Sequence, residues 1–171
     1  MKKRDLHRAE PRHDMMKSHH IEQEVHDPYK ARGKLPEPTL CPQCGAIYHR
    51  GHWQWADEVP TDAHKELCPA CHRINDKFPA GELILGGLFL ESHRDEIIAL
   101  ARNIEAKEQA EHALQRIMDI EVHPGRVLIT TTDVHLPHRI GHALVDAYKG
   151  EIETHYDEAG YFARIRWQRD V

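Results

Sequence analysis

The chain is short of the residues that common catalytic devices require. It has two serines, Ser18 and Ser92, and neither stands in the Gly-x-Ser-x-Gly setting of a nucleophile elbow. Gly81, Gly86 and Gly87 are not followed by Lys-Ser/Thr, which excludes a phosphate-cradling P-loop. No His-Glu-x-x-His occurs, so there is no metalloprotease signature. No apolar run approaches the roughly 20 residues that span a bilayer. The opening Met1-Lys-Lys-Arg-Asp-Leu-His-Arg8 has a basic head with no apolar segment behind it, unlike a secretory signal. An excess of positive charge is also missing. The net charge of −5 does not mark a general nucleic-acid binder, although 16 histidines make the surface field sensitive to pH near neutrality.

Cysteine is scarce too, but its arrangement is specific. The four cysteines form Cys41-Pro-Gln-Cys44-Gly45 and Cys68-Pro-Ala-Cys71. Each Cys-x-x-Cys turn aims two thiolates at one point, and two such turns complete a tetrahedron of sulfur around one structural Zn2+. The alternatives are two redox dithiols or a pair of disulfides. A redox Cys-x-x-Cys usually heads a helix in a larger α/β domain, and two symmetric copies speak against that. His49, His52 and His72 lie close enough in sequence to replace a ligand, but four thiolates make that unnecessary. A tetrathiolate site leaves no open position for water, so the metal is expected to be structural and the protein not an enzyme. Reduced, metal-bound cysteines point to the cytoplasm.

The mean hydropathy of −0.69 requires the apolar residues to be concentrated somewhere. Residues 1–39 are not that place. They carry prolines at 11, 28, 36 and 38, and nine Lys and Arg against seven Asp and Glu, for a net of +2. The remainder carries 14 against 21, a net of −7. Such a polar segment cannot offset its chain entropy by burial, and 1–39 is expected to be a disordered, weakly basic, histidine-dotted arm with a transient helix over 17–25. Its end, with Tyr29, Lys30, Arg32 and Lys34, is either a solvated linker or a segment that orders along a phosphate backbone.

Residues 40–79 are expected to form a zinc ribbon. After the first knuckle, Arg50-Gly51 separates two short strand patterns, and Trp53 and Trp55 share a strand face. These tryptophans either cover a small metal-centred core or present a base-stacking surface.

Residues 80–171 are expected to form an α+β domain. A strand over 82–90 leads to a helix capped by Ser92, with Asp95 in its first turn and Ile97, Ile98, Leu100, Ala101 and Ile104 as its apolar stripe. Strands over 114–122 and 127–132 flank a Pro124-Gly125 turn. A helix then runs from His135 or Pro137 to Tyr148, capped by Asp133 and ended by Gly150. Strands over 151–156 and 161–168 close the chain. The order is a ferredoxin-like β-α-β-β-α-β with one extra strand, its helices on one face of an antiparallel sheet. Alternation puts Tyr161, Ala163, Ile165, Trp167 and Arg169 on the core side. Phe162, Arg164, Arg166 and Gln168 form either a solvated face or a basic strip. His138 and His142 are one helical turn apart. With Asp133 and His135 nearby, these histidines are either solvated or ligands of a second metal.

The second knuckle running into a strand, a long helix, a hairpin with a Thr-rich strand and a further helix resembles the N-terminal region of the archaeal and eukaryotic large-ribosomal-subunit export adaptors. The residues that carry the likeness are Cys41, Cys44, Cys68 and Cys71 with 127–147, within a span of about 41–157. The adaptors carry more zinc pairs than this chain's two. The chain also resembles a family of short bacterial proteins, on Leu35-Pro-Glu-Pro38 and Leu67-Cys-Pro-Ala-Cys71. The resemblance implies a zinc-plus-αβ module that docks on a large ribosomal subunit. The function expected is a non-enzymatic, ribosome-associated factor acting in stress, dormancy or subunit maturation. Lys30, Arg32, Lys34, Arg50 and Trp53 are the expected contacts to rRNA, and ribosomal proteins are possible further partners. The rival expectations are a metal- or redox-responsive regulator and a protein–protein adaptor using the open sheet face.

Overall fold

In the computed structural model, which describes residues 27–31 and 33–171, two Cys-x-x-Cys turns tie a small lobe together and a mixed α+β domain follows it. The expected helix over 17–25 lies outside the described residues, as does Arg32.

The lobe is built from minimal strands. β1 (Thr39–Leu40) pairs antiparallel with β2 (Ile47–His49), which pairs with β3 (His52–Gln54). β4 (His64–Lys65) lies parallel to β1, giving the order β3-β2-β1-β4. The β2–β3 turn is the expected one: Arg50 and Gly51 both take positive φ, at 51° and 83°. The Glu37 carboxylate accepts hydrogen bonds from the N–H groups of Arg50 and Gly51 at 3.1 and 3.0 Å, tying the segment before β1 to this turn.

The second knuckle differs from the expected ribbon. Cys68 is the N-cap of α1 (Pro69–Asp76), a helix not anticipated from the sequence. The physical cause is local. Pro69 at the first helical position has its φ already set and loses no needed N–H, and the Cys68 sulfur accepts from Cys71 N. Asp27 and Tyr29, expected to lie in a disordered arm, pack on this helix. Asp27 pairs with the buried Arg73 at 2.9 Å, and Arg73 lies over the Tyr29 ring at 4.3 Å. Tyr29 also stacks on Phe78 and donates its hydroxyl to Asp76.

The second part begins with β5 (Gly81–Gly86) and α2 (Leu88–Glu111). The strand expected over 82–90 therefore ends early, and Ser92 sits inside the helix, donating to Phe89 O, rather than capping it. Gly87 explains the change. Its φ of 98° turns the chain, and a Cβ there would stand 2.1 Å from Arg169 O. Gly87→Ala is expected to destabilise the protein by more than about 1 kcal/mol in urea unfolding, whereas Gly125→Ala, with positive φ but open space, should cost less.

β6 (Ile117–His123), β7 (Arg126–Thr131), α3 (His135–Tyr148), β8 (Glu151–Tyr156) and β9 (Ala163–Gln168) complete the fold. The five-stranded sheet has the order β6-β7-β5-β9-β8. It is mixed rather than antiparallel, because β9 runs parallel to β5 while β8 takes the edge. Burial decides between those two strands. β9 alternates cleanly, with Ala163, Ile165 and Trp167 buried, whereas β8 has only Ile152 partly covered and suits an edge. The core joins Leu83, Leu85, Val127, Ile129, Ile165 and Trp167 of the sheet to Leu90 and Ile97 of α2 and Leu136, Ile140 and Leu144 of α3. On the opposite face Arg164 pairs with Glu82 at 3.0 Å, and Arg166 stands in register with Glu153. The arginines of this face, read as either solvated or a basic strip, are therefore matched by carboxylates. Among the described residues no helix is long and apolar enough to cross a membrane.

Candidate metal centre

The two knuckles bring Cys41, Cys44, Cys68 and Cys71 together, with their ligand atoms all within 4.8 Å of one another. The first knuckle folds back on itself: Gly45 N donates to Cys41 O and Cys41 N to Ala46 O. Gly45, at φ 82°, allows the reversal. The second pair is placed by the head of α1. The helix-head position belongs to redox dithiols as well, but here the sulfurs face a second pair rather than solvent. Cys41, Cys68 and Cys71 are buried and Cys44 is half-buried.

The spacing suits an ion. A tetrahedral thiolate site with metal–sulfur bonds of about 2.3 Å separates its sulfurs by about 3.8 Å. The Cys44 and Cys68 sulfurs are 3.8 Å apart, far beyond a disulfide bond. His49, His52 and His72 are not members of the cluster.

Hydrogen-bond donors surround the sulfurs. Cys68 N donates to Cys41 Sγ at 3.3 Å, Cys71 N to Cys68 Sγ at 3.4 Å and Ala46 N to Cys44 Sγ at 3.4 Å. A further donor comes from the second part of the chain. The buried Arg116 directs one guanidinium nitrogen to Cys71 Sγ at 3.3 Å and the other to Cys44 Sγ at 3.1 Å and Cys68 Sγ at 3.7 Å. Its Nε donates to Ala113 O, and its backbone N–H to Thr132 Oγ1, so the side chain is held from below.

Burial works to raise the thiols of Cys41, Cys68 and Cys71. At Cys41 the backbone N–H groups of Cys68, Cys44 and Gln43 outweigh it and bring the thiol down to about 7. At Cys68 burial prevails, and the neighbouring sulfurs push the thiol higher still. Cys71 is raised by burial against the pull of Arg116. Burial also opposes the Arg116 charge, but its hydrogen bonds to Cys71 and Cys44 hold the proton more firmly than usual. Four sulfurs this close cannot all ionise without a cation between them. A divalent ion would supply it and turn mutual repulsion into ligation.

Arg116 is the functional residue that sequence reasoning overlooks. The available signal is a single arginine inside Ala113-Leu-Gln-Arg-Ile117, where apolar neighbours announce that the charge must find a buried partner. The tryptophans divide their work. Trp53 packs against the cysteine cluster, as one expected reading had it. Trp55 lies beyond the end of β3 and reaches across to α2, donating Nε1–H to Gln109 O at 2.7 Å, with Arg116 near its ring.

Of the expected RNA contacts, Lys30 and Trp53 line one cleft beside the cysteine lobe, together with Tyr29, Tyr48, His52 and His72. Arg50 is exposed at the hairpin tip and Lys34 is exposed near Glu37; neither lines that cleft. No family model, curated protein or solved structure matches the chain.

Proposed function

We propose that the protein is a non-enzymatic factor with one structural Zn2+ that associates with the large ribosomal subunit through rRNA, in stress, dormancy or subunit maturation. Four thiolates in tetrahedral spacing suit zinc, which needs no particular ligand field and prefers sulfur at closed sites. The lobe is then a variant of the zinc ribbon in which the second knuckle heads a helix, and the second part a ferredoxin-like unit with one strand inserted. The observation that carries the RNA reading is the cleft of about 730 Å³ that gathers Tyr29, Lys30, Tyr48, His52, Trp53 and His72. Of the carboxylates on its walls, Asp27 and Asp76 are engaged by Arg73 and Tyr29, and Glu66 is the third. Single-stranded RNA is read by stacking bases on aromatic faces while a nearby cation meets phosphate, and this cleft offers both. Burial of three of the four sulfurs favours a structural ion over a redox-responsive regulator.

Co-sedimentation in sucrose gradients tests the reading. Tagged protein should travel with large subunits at low salt and be released by moderate salt, as phosphate contacts require. Trp53→Ala should weaken binding by about 1–3 kcal/mol if a base stacks there. Lys30→Gln should weaken binding evenly across RNA sequences and lower the salt slope by about 1. Protein that stays at the top of the gradient under every growth condition would sink the proposal.

A further inference from the structure

α3 carries a second group of metal-capable side chains, far from the cysteines in sequence and different in character. His138 and His142 are successive on one face of the helix, and their Nε2 atoms stand 3.1 Å apart. The rings are tilted by 59° with centroids 4.3 Å apart, so the Nε2 ends lie closer together than the ring centres and the two rings converge on that side. His138 is half-buried and His142 exposed. The same hollow is lined by His135 and Asp146, one turn before and one turn after the pair, and by Glu108 and Arg139. Glu108 is occupied by Arg139 at 3.1 Å.

We propose that His138 and His142 form a second metal site, which takes one divalent ion of the imidazole-preferring class: Zn2+, Ni2+, Cu2+ or Co2+. The geometry is close to what such an ion needs. With metal–nitrogen bonds of about 2.05 Å, nitrogens 3.1 Å apart subtend an angle of about 98° at the metal, between the octahedral and tetrahedral values. No backbone movement is required, because the helix already sets the spacing. In the free protein one imidazole donates to the other across the same gap; when the ion enters, the donating ring carries its proton on Nδ1 instead, and both Nε2 atoms are free to ligate.

The site is the chemical opposite of the thiolate centre. Two neutral nitrogens leave the remaining positions to water, with Asp146 within one helical turn as the nearest uncommitted carboxylate on α3. An ion held in this way exchanges, and its open positions can accept an oxygen donor from another molecule. The cysteine site is closed by four ligands and holds its ion as part of the fold. The chain thus carries a structural and an exchangeable position side by side in composition but separate in space.

The test uses the full chain with zinc already in the thiolate site, titrated with Ni2+ by calorimetry while elemental analysis confirms that the zinc stays. Wild-type protein should take up a further Ni2+ and melt at a higher temperature when it does. His142→Ala and His138→Ala should each lose that uptake and the thermal shift while keeping zinc and the wild-type circular dichroism spectrum. His19→Ala/His20→Ala, which removes the adjacent histidine pair near the start of the chain, should retain both. Equal Ni2+ uptake and equal thermal shift in wild type and His142→Ala would overturn the proposal. So would loss of both in the His19→Ala/His20→Ala protein alone.

Discussion

Cys44→Ser is expected to lose the bound ion and unfold residues 39–76 while leaving the five-stranded sheet in place. The lobe has little else to hold it. The buried apolar residues around the sulfurs are Ala46 and Ala70 of the lobe and Ala113 after α2, with Trp53, Leu67 and Leu114 only partly covered. Its strands are two or three residues long, too short to be stable by pairing alone. Structural zinc contributes on the order of 10–16 kcal/mol in small thiolate and imidazole sites, which exceeds anything this packing can supply. A serine hydroxyl at 44 is a poor ligand beside three thiolates, and the remaining sulfurs would be left buried around a gap. Elemental analysis should read a metal-to-protein ratio near zero. Hydrogen exchange should show loss of protection at Cys41 and His72, whose N–H groups bond to carbonyls within the lobe, and at Ala46, whose N–H donates to the Cys44 sulfur. Protection along β5, β7 and β9 should persist, because their core is a separate cluster of residues that includes none of the cysteines. A variant that keeps the ion and those amides would show that the fold does not depend on the metal.

What the sequence revealed follows the range over which each signal acts. The cysteine set was legible because a Cys-x-x-Cys turn encodes its own geometry within four residues. The pair His138 and His142 was legible for the same reason, since helical spacing is a local rule. Two errors came from local signals with more than one reading. Pro69 after Cys68 suits a knuckle turn and a helix start equally well, and the helix is what the chain forms. The apolar run over 82–90 fits a strand or a buried helix start, and only the close approach of Gly87 to Arg169 decides where one becomes the other. The position of β9 between β5 and β8 is a tertiary choice. Its even alternation hinted at an interior place, but nothing nearby in sequence names its neighbours. For Arg116 the apolar neighbours announce a buried charge but not its partners, which lie 45 to 72 residues earlier.

Arg116 also carries the second large effect. A zinc ion with four thiolates bears a net charge of −2, and this guanidinium is the cation hydrogen-bonded to its sulfurs. Arg116→Met preserves most of the stem and removes the charge and the donors. Cys71 and Cys44 then lose their contacts at 3.3 and 3.1 Å, and the lobe loses a tether to the segment that leads into β6. Loss of such an outer partner typically weakens metal binding about 10–100-fold. Removing one member of a buried charged pair costs roughly 3–5 kcal/mol, which here falls on the junction between the two parts. Chelator competition should therefore strip zinc from Arg116→Met well before the wild type, and urea unfolding should begin earlier. Arg116→Lys separates the two contributions. It restores the charge but offers a compact ammonium instead of a planar fork, and cannot reach both Cys71 and Cys44 in the same way. Zinc retention between that of the Met variant and the wild type is the expected result. If the Met variant holds zinc as tightly as the wild type, the guanidinium serves only as packing at the junction. The stabilisation of the thiolates would then rest on backbone N–H groups, those of Cys68, Cys71 and Ala46 among them.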